Sequence, residues 1–330
     1  MPQKASRYTI RKLGQSMNET NRKVVALAGG VGGAKLADGL AQVVAPDHLT
    51  IIVNTADDFE HLGLHIAPDL DTVMYTLAGL ANPKTGWGVK DESWNTMAAL
   101  ARYGGPTWFQ LGDRDLATHL LRTQWLRQGY PHTWVTRELS RRLGVRCAIL
   151  PMTEEPVRTM VQTDEGELAF QEYFVQQRWQ PVVKSIRFAG IEAAQPSREV
   201  VSALRTADVI VFCPSNPLVS LEPILSLPSM RRILTASRVP KVAVSPIVGG
   251  QALKGPAAKL MAELGLEVSP LGVARQLRDV LTHFVLDHVD QAYQDAISDL
   301  GLRTLVTGTV MLSRADRANL GRELLEFAAR

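Results

Sequence analysis

The stretch VALAGGVGGAKLADGL, Val25 to Leu40, constrains the fold more than any other part of the chain. A run of apolar and β-branched residues stops at a turn with four glycines in five positions: Gly29, Gly30, Gly32 and Gly33. Ala34–Val44 then carries apolar residues at helical spacing, and LTIIVN (Leu49–Asn54) is a second run of strand length. Strand, turn, helix and strand in that order make a βαβ unit, whose strands lie parallel in one sheet with helices on its faces. The rhythm returns at DVIVFC (Asp208–Cys213), KVAVSP (Lys241–Pro246) and HFVLD (His283–Asp287), and RADRANLGRELLEFAAR reads as a closing helix. The expected fold class is α/β, a Rossmann-like three-layer sandwich with a mainly parallel sheet.

Asp69–Leu80 reads as a helix with acids in its first turn, and Asp113–Gly129 as another that ends on Gly129. Val157–Val175 alternates around the turn DEGE like a β-hairpin. That breaks the βα rhythm, so residues 130–190 are expected to form an inserted α+β lid within one domain spanning 23–330. Residues 1–22 are polar and basic, lack the apolar core of a signal peptide, and are expected to be a flexible extension. A net charge of +3 on 330 residues argues against nucleic-acid binding. The absence of any apolar run of about 18 residues argues against a membrane span. Cys147 and Cys213, far apart in apolar runs, fit buried thiols of a reducing compartment, so the cytoplasm is the expected location.

In open parallel sheets ligands bind beyond the carboxyl ends of the strands. GGVGGAK, NTADD, DLDT, PSNP and SPIVGG are all expected there. The first is neither a Walker A loop, since Lys35 is followed by Leu36, nor a G-x-G-x-x-G fingerprint. Its glycines nonetheless allow close backbone approach, the following helix offers free N–H groups to an anion, and Lys35 adds a charge. The alternative is a tight turn whose glycines serve packing. Asp57, Asp58, Asp69 and Asp71 suggest Mg²⁺ beside a phosphate; the alternative is helix capping and a solvated loop. His61 and His65 are four apart, but Gly63 lies between them in an apparent loop, which disfavours a transition metal. Ser215 and Asn216 could contact phosphate or a base, or form an Asx turn between prolines; Asp113 reads as a helix N-cap. No nucleophile elbow or Cys–His pair is present, so covalent catalysis is not expected.

LAGGVGGAKL, VNTADD, PDLDTVMYTLAG, GWGVKDESW, LGDRDLATHLLRT, FQEYFV, PSNPLVS and VSPIVGG with KGPA, in this order from Lys23 to near the C-terminus, resemble the 2-phospho-L-lactate transferase family of coenzyme F420 biosynthesis (CofD/FbiA type). The resemblance implies transfer of a phosphorylated three-carbon acid from its guanosine diphosphate conjugate to the terminal ribityl hydroxyl of the deazaflavin Fo. GMP leaves, and Mg²⁺ and a homodimer are implied. On this resemblance Gly29, Gly30, Gly32, Gly33 and Lys35 take the donor phosphates, with Ser215 and Asn216 beside them. Asp57, Asp58 and Asp71 are the catalytic and metal candidates. Asp71 and Gln110 match Fo-contact positions, and Trp87 and Trp94 are candidates to stack on the deazaflavin or to sit in the core. GGVGGAK and GWGVKDESW resemble members associated with phosphoenolpyruvate-derived donors, whereas VNTADD and KGPA resemble those associated with phospholactate.

Two other readings compete. A nucleotide-sugar-binding regulator of the YvcK-like gluconeogenesis-factor type shares the glycine-rich first loop, but DDFEHLGLHIAPDLDT stands where that branch has a glycine- and serine-rich stretch. A nicotinamide-dependent oxidoreductase is weakened by the failed fingerprint and by Asn54, where an acid would close the second strand.

Overall fold

The computed structural model describes residues 21–330, so the expected extension lies almost entirely outside the described residues. In chain order the strands are β1 (Val24–Ala28), β2 (Leu49–Val53), β3 (Phe59–His61), β4 (Leu64–Ile66), β5 (Ala148–Pro151), β6 (Arg158–Thr163), β7 (Gly166–Ala169), β8 (Val183–Ala189), β9 (Val209–Phe212), β10 (Lys241–Val244), β11 (Ile247–Val248), β12 (Gln251–Ala252), β13 (His283–Asp287) and β14 (Arg303–Thr307). Seven of them form one parallel sheet in the order β14-β13-β10-β9-β1-β2-β5. The chain runs outward from β1 to β2 and β5, then returns to β9 on the other side of β1. The strand order therefore reverses between β1 and β9, where such sheets open a crevice.

Both faces of this sheet are covered, which is why its strands read as unbroken apolar runs. Val24, Ala26 and Ala28 face one core, and Val25 and Leu27 face the other. Helices α1 (Gly30–Ala41), α2 (Pro68–Leu77) and α5 (His132–Arg142) pack on the first face with the C-terminal helix Arg314–Phe327. Between α2 and α5 lie α3 (Asn95–Arg102) and α4 (Asp113–Arg127). Helices between residues 198 and 298 cover the second face. A Cβ on Gly39 would stand 2.1 Å from the Arg317 carbonyl oxygen, so this glycine lets the C-terminal helix lie directly on α1.

Four expectations change. The helix after β1 begins at Gly30, not Ala34, so the glycines form its first turn instead of a loop before it. The expected lid is shorter than residues 130–190: α5 and β5 continue the βα rhythm, and β5 pairs with β2 in the main sheet. The separate piece is the antiparallel sheet β7-β6-β8, and Glu172–Gln176, which takes in the end of the expected second strand at Val175, is helical. The stretch holding His61 and His65 is not a loop but the hairpin β3–β4, turning at Leu62 (φ 53°) and Gly63 (φ 70°).

Candidate active site

The glycine-rich turn is closed. Ser215, in the loop after β9, accepts a hydrogen bond from Gly29 N (3.1 Å) and donates one to Gly29 O (2.9 Å). A Cβ on Gly32 would stand 2.2 Å from the Pro214 carbonyl oxygen, and one on Gly33 would stand 2.5 Å from Ser215 Oγ. These glycines let the two loops flanking the switch point clasp each other. Gly30 has φ 60°, a conformation that favours glycine, and its N–H donates to Asp69 Oδ1 at 2.8 Å. The positive end of α1, which has no acid in its own first turn, is thus met by a carboxylate from α2. Asn54 Nδ2 donates to the other Asp69 oxygen at 3.0 Å. Burial nevertheless raises the Asp69 pKa to about 6 against the pull of those two bonds. The oxygen of Asn216 accepts from Leu218 N (3.0 Å), which is the Asx turn.

The aspartates after β2 are different. Asp57 and Asp58 are 6% and 2% exposed, and Asp57 Oδ1 and Asp58 Oδ1 accept no hydrogen bond within the protein. The neighbouring hydroxyls of Thr55 and Thr159 are also buried and unbonded. Burial, with the charge of Asp69 next, raises the Asp57 pKa well above the usual carboxylate range. Burial also raises that of Asp58, although His65 Nε2 lies 3.1 Å from its Oδ2. A buried carboxylate without partners is costly, so this end of the site carries an unmet demand for positive charge. Oxygen donors of this kind fit a hard divalent cation.

Asp71 is not part of that demand. Arg122 grips both its oxygens, with Nη1 3.0 Å from Oδ2 and Nη2 on Oδ1. His119 Nε2 lies 3.2 Å from Asp115 Oδ1, and the Tyr75 hydroxyl donates to the same oxygen at 2.7 Å. Asp115, His119 and Arg122 sit at i, i+4 and i+7 on one face of α4, so their shared burial was visible in the spacing.

Lys35 turns away from both clusters. Its Nζ donates to Met311 O (2.9 Å), and it lines a cavity of about 350 Å³ with Lys254, Arg314 and Arg317. Burial lowers its pKa, and the charges of Arg317 and Lys254 add to that. Asp38 receives Arg314 at 3.3 Å and Arg317 at 3.2 Å, so one carboxylate faces four cations. Val31, next to Gly30, lines the same cavity, so its rim is one residue from the Asp69 contact. The positions of Arg314, Arg317 and Lys254 depend on chain crossings that carry no local sequence signal.

The remaining candidates lie on the surface. Trp87 follows the cavity-lining Gly86 and is 52% exposed; Trp94 is 45% exposed, so neither is a core residue. Gln110 is exposed and donates to Thr107 O (2.7 Å). Asp113 does not cap its own helix: it accepts from Asn95 N (3.0 Å) and Thr96 N (2.9 Å) at the start of α3. Glu92 returns the service, accepting from Arg114 N (2.8 Å) and Asp115 N (3.1 Å) at the start of α4.

The family model described as 2-phospho-L-lactate transferase CofD matches residues 24–304. The chain is 41% identical over 312 residues to a phosphoenolpyruvate transferase of Streptomyces griseus, covering 93% of this chain and 98% of that protein. It is 39% identical over 290 residues to a 2-phospho-L-lactate transferase of Methanosarcina mazei, covering 88% and 95%. A crystal structure of a UPF0052-family protein from Bacillus halodurans shares the fold, with a TM-score of 0.60 at 16% identity over 93% of this chain and 99% of that one. No helix among the described residues is long and apolar enough to cross a membrane.

Proposed function

The chain belongs to the family of 2-phospho-L-lactate transferase CofD and is a transferase, and from that premise we propose that it moves 2-phospholactate or phosphoenolpyruvate from a guanosine diphosphate conjugate to the terminal ribityl hydroxyl of the deazaflavin Fo. The hydroxyl oxygen bonds to the phosphorus next to the three-carbon acid, the bond to the GMP phosphate breaks, and the hydroxyl proton leaves. The observation that best supports the reading is the pair of buried carboxylates after β2, each with an Oδ1 that accepts no hydrogen bond. Asp57 and Asp58 would hold Mg²⁺, which when bound neutralises charge on the reacting phosphates. Arg122 already holds both oxygens of Asp71, which favours Asp57 and Asp58 over Asp71 as the metal ligands.

The donor's diphosphate belongs in the cavity of Lys35, Lys254, Arg314 and Arg317, where the charges favour an anion. Lys35 keeps the role expected of it, and Gly29, Gly30, Gly32 and Gly33 shape the wall instead of touching phosphate. Ser215 has a structural role in the same clasp. Trp87, exposed at the rim, offers a flat face to the deazaflavin. A cytoplasmic homodimer is part of the same proposal.

The test is a product assay by mass spectrometry. The purified chain is mixed with Mg²⁺, Fo and each guanylylated three-carbon acid in turn. An adduct of Fo appearing with GMP is the expected result and identifies the donor. No adduct from any donor, with Fo failing to bind, would overturn the proposal.

A further inference from the structure

Asp58, whose unbonded Oδ1 belongs to the Mg²⁺ pair proposed above, turns its other oxygen, Oδ2, to two histidines that the proposed transfer does not use. His65 Nε2 lies 3.1 Å from Asp58 Oδ2, and His132 Nε2 lies 4.0 Å from the same oxygen. Each residue places one donor atom within 4.8 Å of the other two. The imidazole rings stand 5.4 Å apart at 80°. The residues come from three segments: the loop after β2, strand β4 and the first position of α5. His132 is 8% exposed, and its Nε2 is bonded to nothing in the protein. A buried imidazole nitrogen left unmatched is costly, and α5 does not need it, since Pro131 is the N-cap residue.

Donors on one ion at about 2.0–2.2 Å lie about 3–4 Å apart, which is the spacing seen around Asp58 Oδ2. Two imidazoles and a carboxylate make a borderline donor set, suited to zinc or ferrous iron and poorly matched to Mg²⁺. Two arginines act on the cluster, Arg122 and Arg158. Arg122 is neutralised by Asp71, and the charge of Arg158 acts on Asp58. His65, 20% exposed, opens the cluster to solvent. The Asp71–Asp115–His119 group has similar spacing, but Arg122 and Tyr75 already hold its two carboxylates.

We propose that Asp58, His65 and His132 form a binding site for a divalent transition-metal ion of the zinc class, with open coordination positions toward solvent. The site depends on none of the substrate assignments. It is tested on the full chain, stripped with a chelator and titrated with Co²⁺ as a visible probe, then with Zn²⁺ in competition. Saturable d–d bands that Zn²⁺ abolishes are expected. His132→Gln and His65→Gln should each weaken Co²⁺ binding by at least about tenfold, while Asp57→Asn keeps the bands. His65→Gln, at the exposed ligand, keeps the test decisive if His132→Gln fails to fold. No saturable bands in the wild type, or bands unchanged in a folded histidine variant, would overturn the proposal.

Discussion

The turn after β1 and the turn after β2 leave neighbouring parallel strands, yet their polar groups have opposite fates. At the first, Gly29 is bonded twice by Ser215 and Gly30 is bonded by Asp69. At the second, Asp57 and Asp58 are buried, and Oδ1 of each accepts nothing. The first is scaffold: its glycines exist because the loop after β9 and α2 approach too closely for a side chain. On the proposed function the second is the site: one oxygen of each buried carboxylate has no hydrogen bond, and folding alone gives no reason for that. The more conspicuous sequence pattern is thus the structural one.

The comparison breaks first at Asp71, the carboxylate sequence reading grouped with Asp57 and Asp58. Arg122→Ala would leave it buried and unpaired, so a stability loss of about 3–5 kcal/mol is expected in denaturant unfolding. A negligible loss would return Asp71 to the unmet set. Next, Gly32→Ala forces a Cβ to within 2.2 Å of a backbone oxygen. It should cost about 1–3 kcal/mol with little change in donor affinity in the folded fraction. A selective loss of donor affinity at unchanged stability would instead restore the glycine turn as a phosphate loop. Lys35→Ala should raise the donor KM by about tenfold, the scale of one charge-assisted contact, and leave the Fo KM unchanged. Equal effects on both would move the donor out of the basic cavity.

The smallest effect is on pH. Asp57, Asp58 and Asp69 all have raised pKa values in the folded chain, that of Asp69 to about 6. An acid whose folded pKa is raised binds more protons folded than unfolded between the two values. Its ionisation therefore costs stability as pH rises from the unfolded value through the folded one. Metal-free protein should lose stability between about pH 4 and 6.5, and Asp69→Asn should flatten that slope. A saturating divalent cation should flatten it too, by favouring the ionised aspartates. A slope unchanged by either would mean that these carboxylates do not carry it.

The fold was legible because its signals are local. Apolar runs buried on two faces, with the glycine-rich turn between the first strand and its helix, lie within one short window. The caps supplied from a distance were not legible. Asp69 sits at the start of α2 but serves α1, Asp113 serves α3, and Glu92 serves α4. An acid in a helix's first turn looks the same whichever helix it satisfies. His61 and His65 misled in a similar way. The hairpin sends His61 against Trp108, ring centroids 5.1 Å apart, and gives His65 to Asp58 and His132. The hairpin signal at Val157 overshadows the short strand β5, which extends the main sheet and shortens the lid.

Asp57→Asn tests the distinction between scaffold and site most directly, with turnover and unfolding midpoint measured on the same preparation. Removing a buried, unpartnered charge should leave the midpoint unchanged or raise it, while transfer to Fo falls by at least about 100-fold. A lowered midpoint with transfer intact would contradict the account and make Asp57 a structural residue.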